Sequence, residues 1–224
     1  MDLNEIYQTR PPFPLTYLNH IGEAIIHVNN DYCVWSYNNA NSNQKTERVF
    51  SYELYHQFRL LMNSNEYNNE IRLDGEIGKR LHGNTVRDCG VIISNFNFNS
   101  TQIHFSPDLV IHKGQNDRQE INQKAIVEIK TKDVSNAELT KTILKLNHYI
   151  RVLHFQYAVF ITVNTDFQEI AQKLRKLFHN PTNKELEKRF CRIIVMNYTD
   201  RKLTVYTLRN ILLGNNNAFN YPII

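Results

Sequence analysis

An α/β fold, with a mixed sheet between helices, is predicted by three features of this 224-residue sequence. Two apolar, β-branched runs, 103–112 and 125–132, flank a polar stretch rich in Gln, Asn, Asp and Gly, as the arms of a hairpin flank its loop. A helix is announced directly afterwards: Ser135-Asn136-Ala137-Glu138 is a capping box, and Leu139, Ile143, Leu146, Ile150 and Leu153 then recur at spacings of four and three. The third feature is the run at 157–163, continuously apolar, as in a strand covered on both faces.

The remaining elements extend this frame. Residues 1–40 begin with Pro11-Pro12-Phe13-Pro14, which continues neither a helix nor a central strand, and 24–28 with 31–37 read as a short hairpin around Asn29-Asn30. We take this part as an N-terminal extension packed on a core domain at 41–224. From 46 to 62, Val49, Phe50, Leu54, Phe58 and Leu61 form a helical stripe. Candidate strands follow at 70–79 and 95–105, before the hairpin. Beyond it, 166–178 is an amphipathic helix with Asp166 as N-cap and Glu169 in its first turn. Two strands, 192–196 and 203–208, close the chain around a turn at 199–202.

Composition narrows the function classes. A net charge of +4 and a pI near 8.9 permit a polyanionic partner without requiring one. Cys33, Cys89 and Cys191 are odd in number and widely spaced, which argues against a disulfide scaffold or a structural zinc site. No basic-then-apolar leader and no apolar run near ~18 residues is present, so the expectation is a soluble, cytoplasmic protein without a membrane partner. Asn-rich clusters at 38–43, 63–69 and 215–217 read as loops.

Charged residues within the hairpin carry the chemistry. In the second arm, side chains alternate, so Ile126, Glu128 and Lys130 share one face while Val127 and Ile129 share the other. Two opposite charges thus project from a strand otherwise fit for a core, and the hairpin brings Asp108 of the first arm beside Glu128. Pro107-Asp108 with Glu128-Ile129-Lys130 resembles the signature of the PD-(D/E)xK nuclease superfamily, which includes restriction endonucleases, over about residues 46–165.

That resemblance implies a restriction-endonuclease-like fold, a mixed sheet sandwiched by helices around an αβββαβ core. It also implies an Mg²⁺-dependent endonuclease of restriction or defence type, with Mn²⁺ as a substitute ion and double-stranded DNA as partner. Asp108, Glu128 and the Ile129 carbonyl would hold the metal. Lys130 would stabilise charge on the phosphate or orient and deprotonate the attacking water. A further carboxylate from the helix before the sheet is expected, with Glu53 as the candidate, Glu76 as its competitor from the adjacent strand, and Glu47 read as a solvated acid. His56, one turn from Glu53, reads as a helix-surface residue with substrate contact as the alternative, and the many Tyr side chains as packing. Lys132, Lys141 and Lys145 form a basic rim suited to phosphates, although Lys141 and Lys145 also read as ordinary solvent-facing residues. Two strands to cut suggest a homodimer. The other readings are a non-catalytic nucleic-acid- or protein-binding module, or an effector nuclease acting on DNA or RNA once a partner or signal switches it on.

Overall fold

The computed structural model describes residues 16–33, 43–64, 71–75, 107–113, 122–131, 133–182, 188–214 and 219–220. Helices α1 (Thr16–His27) and α2 (Asn43–Ser64) precede strands β1 (Arg72–Gly75), β2 (Leu109–His112) and β3 (Gln123–Thr131). Helix α3 (Asn136–Arg151), strand β4 (Tyr157–Val163) and helix α4 (Phe167–Leu177) follow, then β5 (Ile193–Thr199), β6 (Lys202–Thr207), the short α5 (Leu208–Leu212) and β7 (Phe219–Asn220). The strands form one mixed sheet in the order of the chain, β1 to β7. β3, β4 and β5 run parallel in the middle, and antiparallel pairs flank them.

Strand alternation divides the core into two layers. Leu109, Ile111, Val127, Ile129, Val159 and Ile161 face α1 and α2, whereas Val110, Ile126, Ala158, Phe160, Ile193 and Val195 face α3, α4 and α5. With helices on both faces, β4 is buried at all seven positions, which is why its sequence shows no alternation. The capping box at Ser135 and Glu138 forms as expected, and Leu139, Ile143, Leu146, Ile150 and Leu153 are all buried. Asp166 accepts from the Gln168 N–H as the N-cap of α4. The β5–β6 turn places Asp200 and Arg201 at φ 52° and 59°, the left-handed pair that a two-residue hairpin loop needs to match strand twist. Among the described residues no helix is long and apolar enough to cross a membrane.

The N-terminal hairpin is not formed. Residues 24–27 belong to α1, and Asn30–Tyr32 is a single 3₁₀ turn. Leu18, Ile21, Ala24, Ile25 and Val28, each at most 3% exposed, recur at helical spacing and pack in the same layer as α2. Asn29 ends the helix rather than turning a hairpin, since its Oδ1 accepts from the Asp31 N–H at 3.1 Å. The strand expected at 95–105, together with Glu76 and Lys132, lies outside the described residues.

Ser135→Ala removes the reciprocal capping bonds of α3. The expected loss is about 1 kcal/mol, or ~2–4 °C in Tm for a chain of this size. Phe160→Ala, a fully buried ring in the central strand, should cost about 3–5 kcal/mol. Urea unfolding of both variants checks the ranking, and a Ser135→Ala loss as large as that of Phe160→Ala contradicts it.

Candidate functional site

The β2–β3 register sets the geometry. Leu109 pairs with Val127, so continuing the antiparallel ladder by one residue puts Asp108 opposite Glu128. Asp108 is fixed there at both ends of the residue: its N–H donates to the Val127 carbonyl at 3.1 Å, and its Oδ2 accepts from the Ile129 N–H at 2.6 Å. Because β3 lies inside the sheet, Glu128 is only 4% exposed. Its parity with Ile126 turns it toward α3, where Lys145 Nζ stands 2.5 Å from its Oε1. The side chains of this pair are 14% and 5% exposed, so it is an interior ion pair.

Lys130, two residues on, takes its partner from the opposite layer. Its Nζ donates to Glu47 Oε1 of α2 at 2.6 Å, with both side chains about a quarter exposed, at 26% and 29%. Glu47, Asp108, Glu128, Lys130 and Lys145 therefore form one electrostatic group where β2 enters and β3 leaves the sheet. When all are ionised, three carboxylates oppose two ammonium groups and one negative charge is left over. Tyr149, one turn after Lys145 on α3 and 0% exposed, lies close enough to feel both Glu128 and Asp108.

Burial dominates the protonation equilibria of the two hairpin acids. It raises the Glu128 carboxyl to about 7, with Lys145 acting to lower it and Asp108 to raise it further. Asp108 is also raised by burial, against the opposing pull of the Ile129 N–H and Lys130. For Lys130, desolvation alone would depress the ammonium, but Glu47, Asp108 and Glu128 together more than offset it and hold it above its ordinary value. Tyr149 is raised by burial and then by the two carboxylates.

The chain matches no family model, no curated protein and no solved structure. The functional reading therefore rests on the side chains themselves.

Of the residues singled out in the sequence, Asp108, Glu128, Ile129 and Lys130 come together. Glu53 does not join them: its Oε1 accepts from Gln57 Nε2 at 2.7 Å, one turn along the same helix. The helix acid that reaches the group is Glu47, which the sequence reading placed in solvent. At about 100° per residue, Glu47 lies within about 20° of Leu54 and Phe58 on the helical wheel, whereas Glu53 lies about 120° away. Extending the buried stripe one turn toward the N-terminus would have identified it.

Lys145 is likewise no ordinary surface residue, since α3 buries far more than one stripe against the sheet and α4, and the Lys145 ammonium reaches Glu128. Lys141, four residues earlier, is exposed. Asp74 lies in β1, where its Oδ2 is 2.7 Å from Nε2 of the fully buried His112.

Glu128 gives a pH-dependent signature. Its carboxyl titrates near 7 in the folded chain and near 4.5 in the unfolded one, so the folded state holds the extra proton between these values. Wild-type stability from this group is full below the lower value and declines as pH rises through the upper one. Glu128→Gln cannot titrate, so its stability relative to wild type should rise by on the order of 3 kcal/mol from about pH 4.5 to pH 7.5. Urea unfolding of both proteins across this range checks it; a difference that is flat or falls with pH contradicts a buried, proton-retaining Glu128.

Proposed function

We propose that this chain is a divalent-cation-dependent nuclease that hydrolyses phosphodiester bonds in DNA. The observation that carries the reading is the juxtaposition of Asp108 and Glu128, with Lys130 beside them. The succession α2-β1-β2-β3-α3-β4 supports a restriction-endonuclease-like core, because its element order matches the αβββαβ pattern implied by the Pro-Asp and Glu-x-Lys resemblance.

The donor set suits a hard cation. Mg²⁺ is commonly held by one or two carboxylates while retaining several waters, and two carboxylates are what the hairpin brings together. The protein's share would be Asp108 and Glu128, with the Ile129 carbonyl as the further ligand that the resemblance implies. A bound Mg²⁺ or Mn²⁺ would supply an activated water and Lewis-acid stabilisation of the phosphate charge.

The chain's own residues have separable tasks. Asp108 is oriented by the Ile129 N–H, which leaves its other oxygen, Oδ1, for a ligand. Glu128 is held by Lys145, whose ammonium keeps a buried carboxylate supplied with counter-charge. Lys130 remains an ammonium, since its carboxylate neighbours hold its proton more tightly than solvent does. Of the two tasks implied by the resemblance, this favours stabilising charge that builds on the phosphate over accepting a proton from water. Glu47 aims that ammonium from the far side.

Plasmid, linear duplex, single-stranded DNA and RNA incubated with Mg²⁺, Mn²⁺ or EDTA test the activity. Cation-dependent cleavage is expected, and Lys130→Ala should lower it about 10²-fold or more. The same substitution should leave Mn²⁺ binding and Tm nearly unchanged, because Glu47 remains partly exposed when its partner is removed. Full activity in Lys130→Ala, or cleavage that persists in EDTA, contradicts the assignment.

A further inference from the structure

The outward face of α2 carries a feature that the proposed centre does not use. Over 47–63 the exposed residues are Arg48, Tyr52, His56, Arg59, Leu60 and Asn63. They fall within about 120° of the helix circumference, given 3.6 residues per turn. None is acidic, and Glu53 lies outside the stripe, turned to Gln57. Tyr52 is 62% exposed, the most open large hydrophobic side chain among the described residues, and it stands one turn from Arg48 and from His56. An aromatic ring held in water between cationic or protonatable neighbours gains nothing from its own core. It offers a stacking surface flanked by phosphate partners.

From this arrangement we infer that α2 is the docking track for a single strand of nucleic acid that leads to or from the site. The inference rests on the nuclease reading and narrows its substrate to strands with an unpaired segment next to the point of cleavage. The stripe starts at the end of α2 that touches the site, for Arg48 follows Glu47, and Glu47 holds Lys130 at 2.6 Å. From Arg48 to Asn63 the helix rises about 22 Å, the length of roughly six stacked nucleotides at ~3.4 Å each. Arg48 and Arg59 supply the backbone contacts, and Tyr52 the stacking face. Stacking on a side chain requires a base free of its own stack, which a duplex does not present. Proteins that bind single strands join cationic tracking to aromatic stacking in this way.

Fluorescence anisotropy in EDTA, where cleavage is suppressed, tests the track with labelled single-stranded DNA, single-stranded RNA and duplex DNA of equal length. Wild type should bind a single strand more tightly than the duplex. Tyr52→Ala should weaken that binding about tenfold. Arg48→Gln/Arg59→Gln should flatten the dependence of log affinity on log salt by about 1.4, two contacts at ~0.7 each. Thermal midpoints of all variants should match wild type, because these side chains are exposed. Arg59→Gln alone should give about half the slope change, which keeps the test intact if Arg48→Gln perturbs folding.

Unchanged affinity and slope in both sets of variants overturn the track. So does preference for duplex with no effect of Tyr52→Ala, or a wild-type dimer that dissociates in the variants by light scattering, since the face would then be covered by a second copy. Cleavage with Mn²⁺, measured in parallel, separates this from the nuclease reading. Strand binding through α2 without cleavage fails that reading and keeps the track, whereas cleavage with unchanged binding in the variants does the reverse.

Discussion

A carboxylate on an interior strand of a seven-stranded sheet needs counter-charge, and for Glu128 it comes from Lys145 at 2.5 Å. Without that ammonium the acid would be ionised with no partner at 4% exposure, an arrangement that proteins avoid by protonation or by local unfolding. The pair ties the centre of β3 to α3, the helix that connects it with β4. It also decides which residues feel the site, because one turn of α3 brings Tyr149 along with Lys145. An ion pair of this kind is weak evidence for stability, and an apolar pair of the same shape would be cheaper. It stands beside a second, half-buried acid, Asp108, so two carboxyl groups share this end of the sheet.

The sheet distributes its chemistry by parity. Val110 on β2 and Ile126 on β3 face α3, while odd-numbered positions of these strands feed the layer under α1 and α2. Lys130 obeys the same alternation but sits near the end of β3, where its long side chain reaches Glu47 at the start of the described side chains of α2. Both helical layers therefore hold the site, one through each lysine.

Much of this was legible in the sequence. Strand parity placed Glu128 and Lys130 on one face, the capping box and the spacings of four and three defined α3, and the unbroken apolar run gave β4. These signals are local, and they survive tertiary packing because packing uses the same periodicities. What the sequence concealed was non-local. The α1 stripe of Leu18, Ile21, Ala24, Ile25 and Val28 was hidden by Asn29-Asn30, which resembles a hairpin turn but ends a helix. Glu47 seemed solvated because its partner, Lys130, lies 83 residues away in the chain. Lys145 looked like a surface residue because its partner, Glu128, lies on a strand whose approach to α3 cannot be read from the period of α3 alone.

The claim on which the rest depends is that Asp108 and Glu128 share one cation. Anomalous diffraction from crystals grown with Mn²⁺ tests it without reference to activity. The account predicts a single strong peak within ligand distance of both carboxylates, about 2.1 Å for an ion of the Mg²⁺ class, which disappears in Asp108→Asn. Glu128 still bound to Lys145 with no peak beside it at saturating Mn²⁺, or a peak that survives Asp108→Asn, would contradict the shared site.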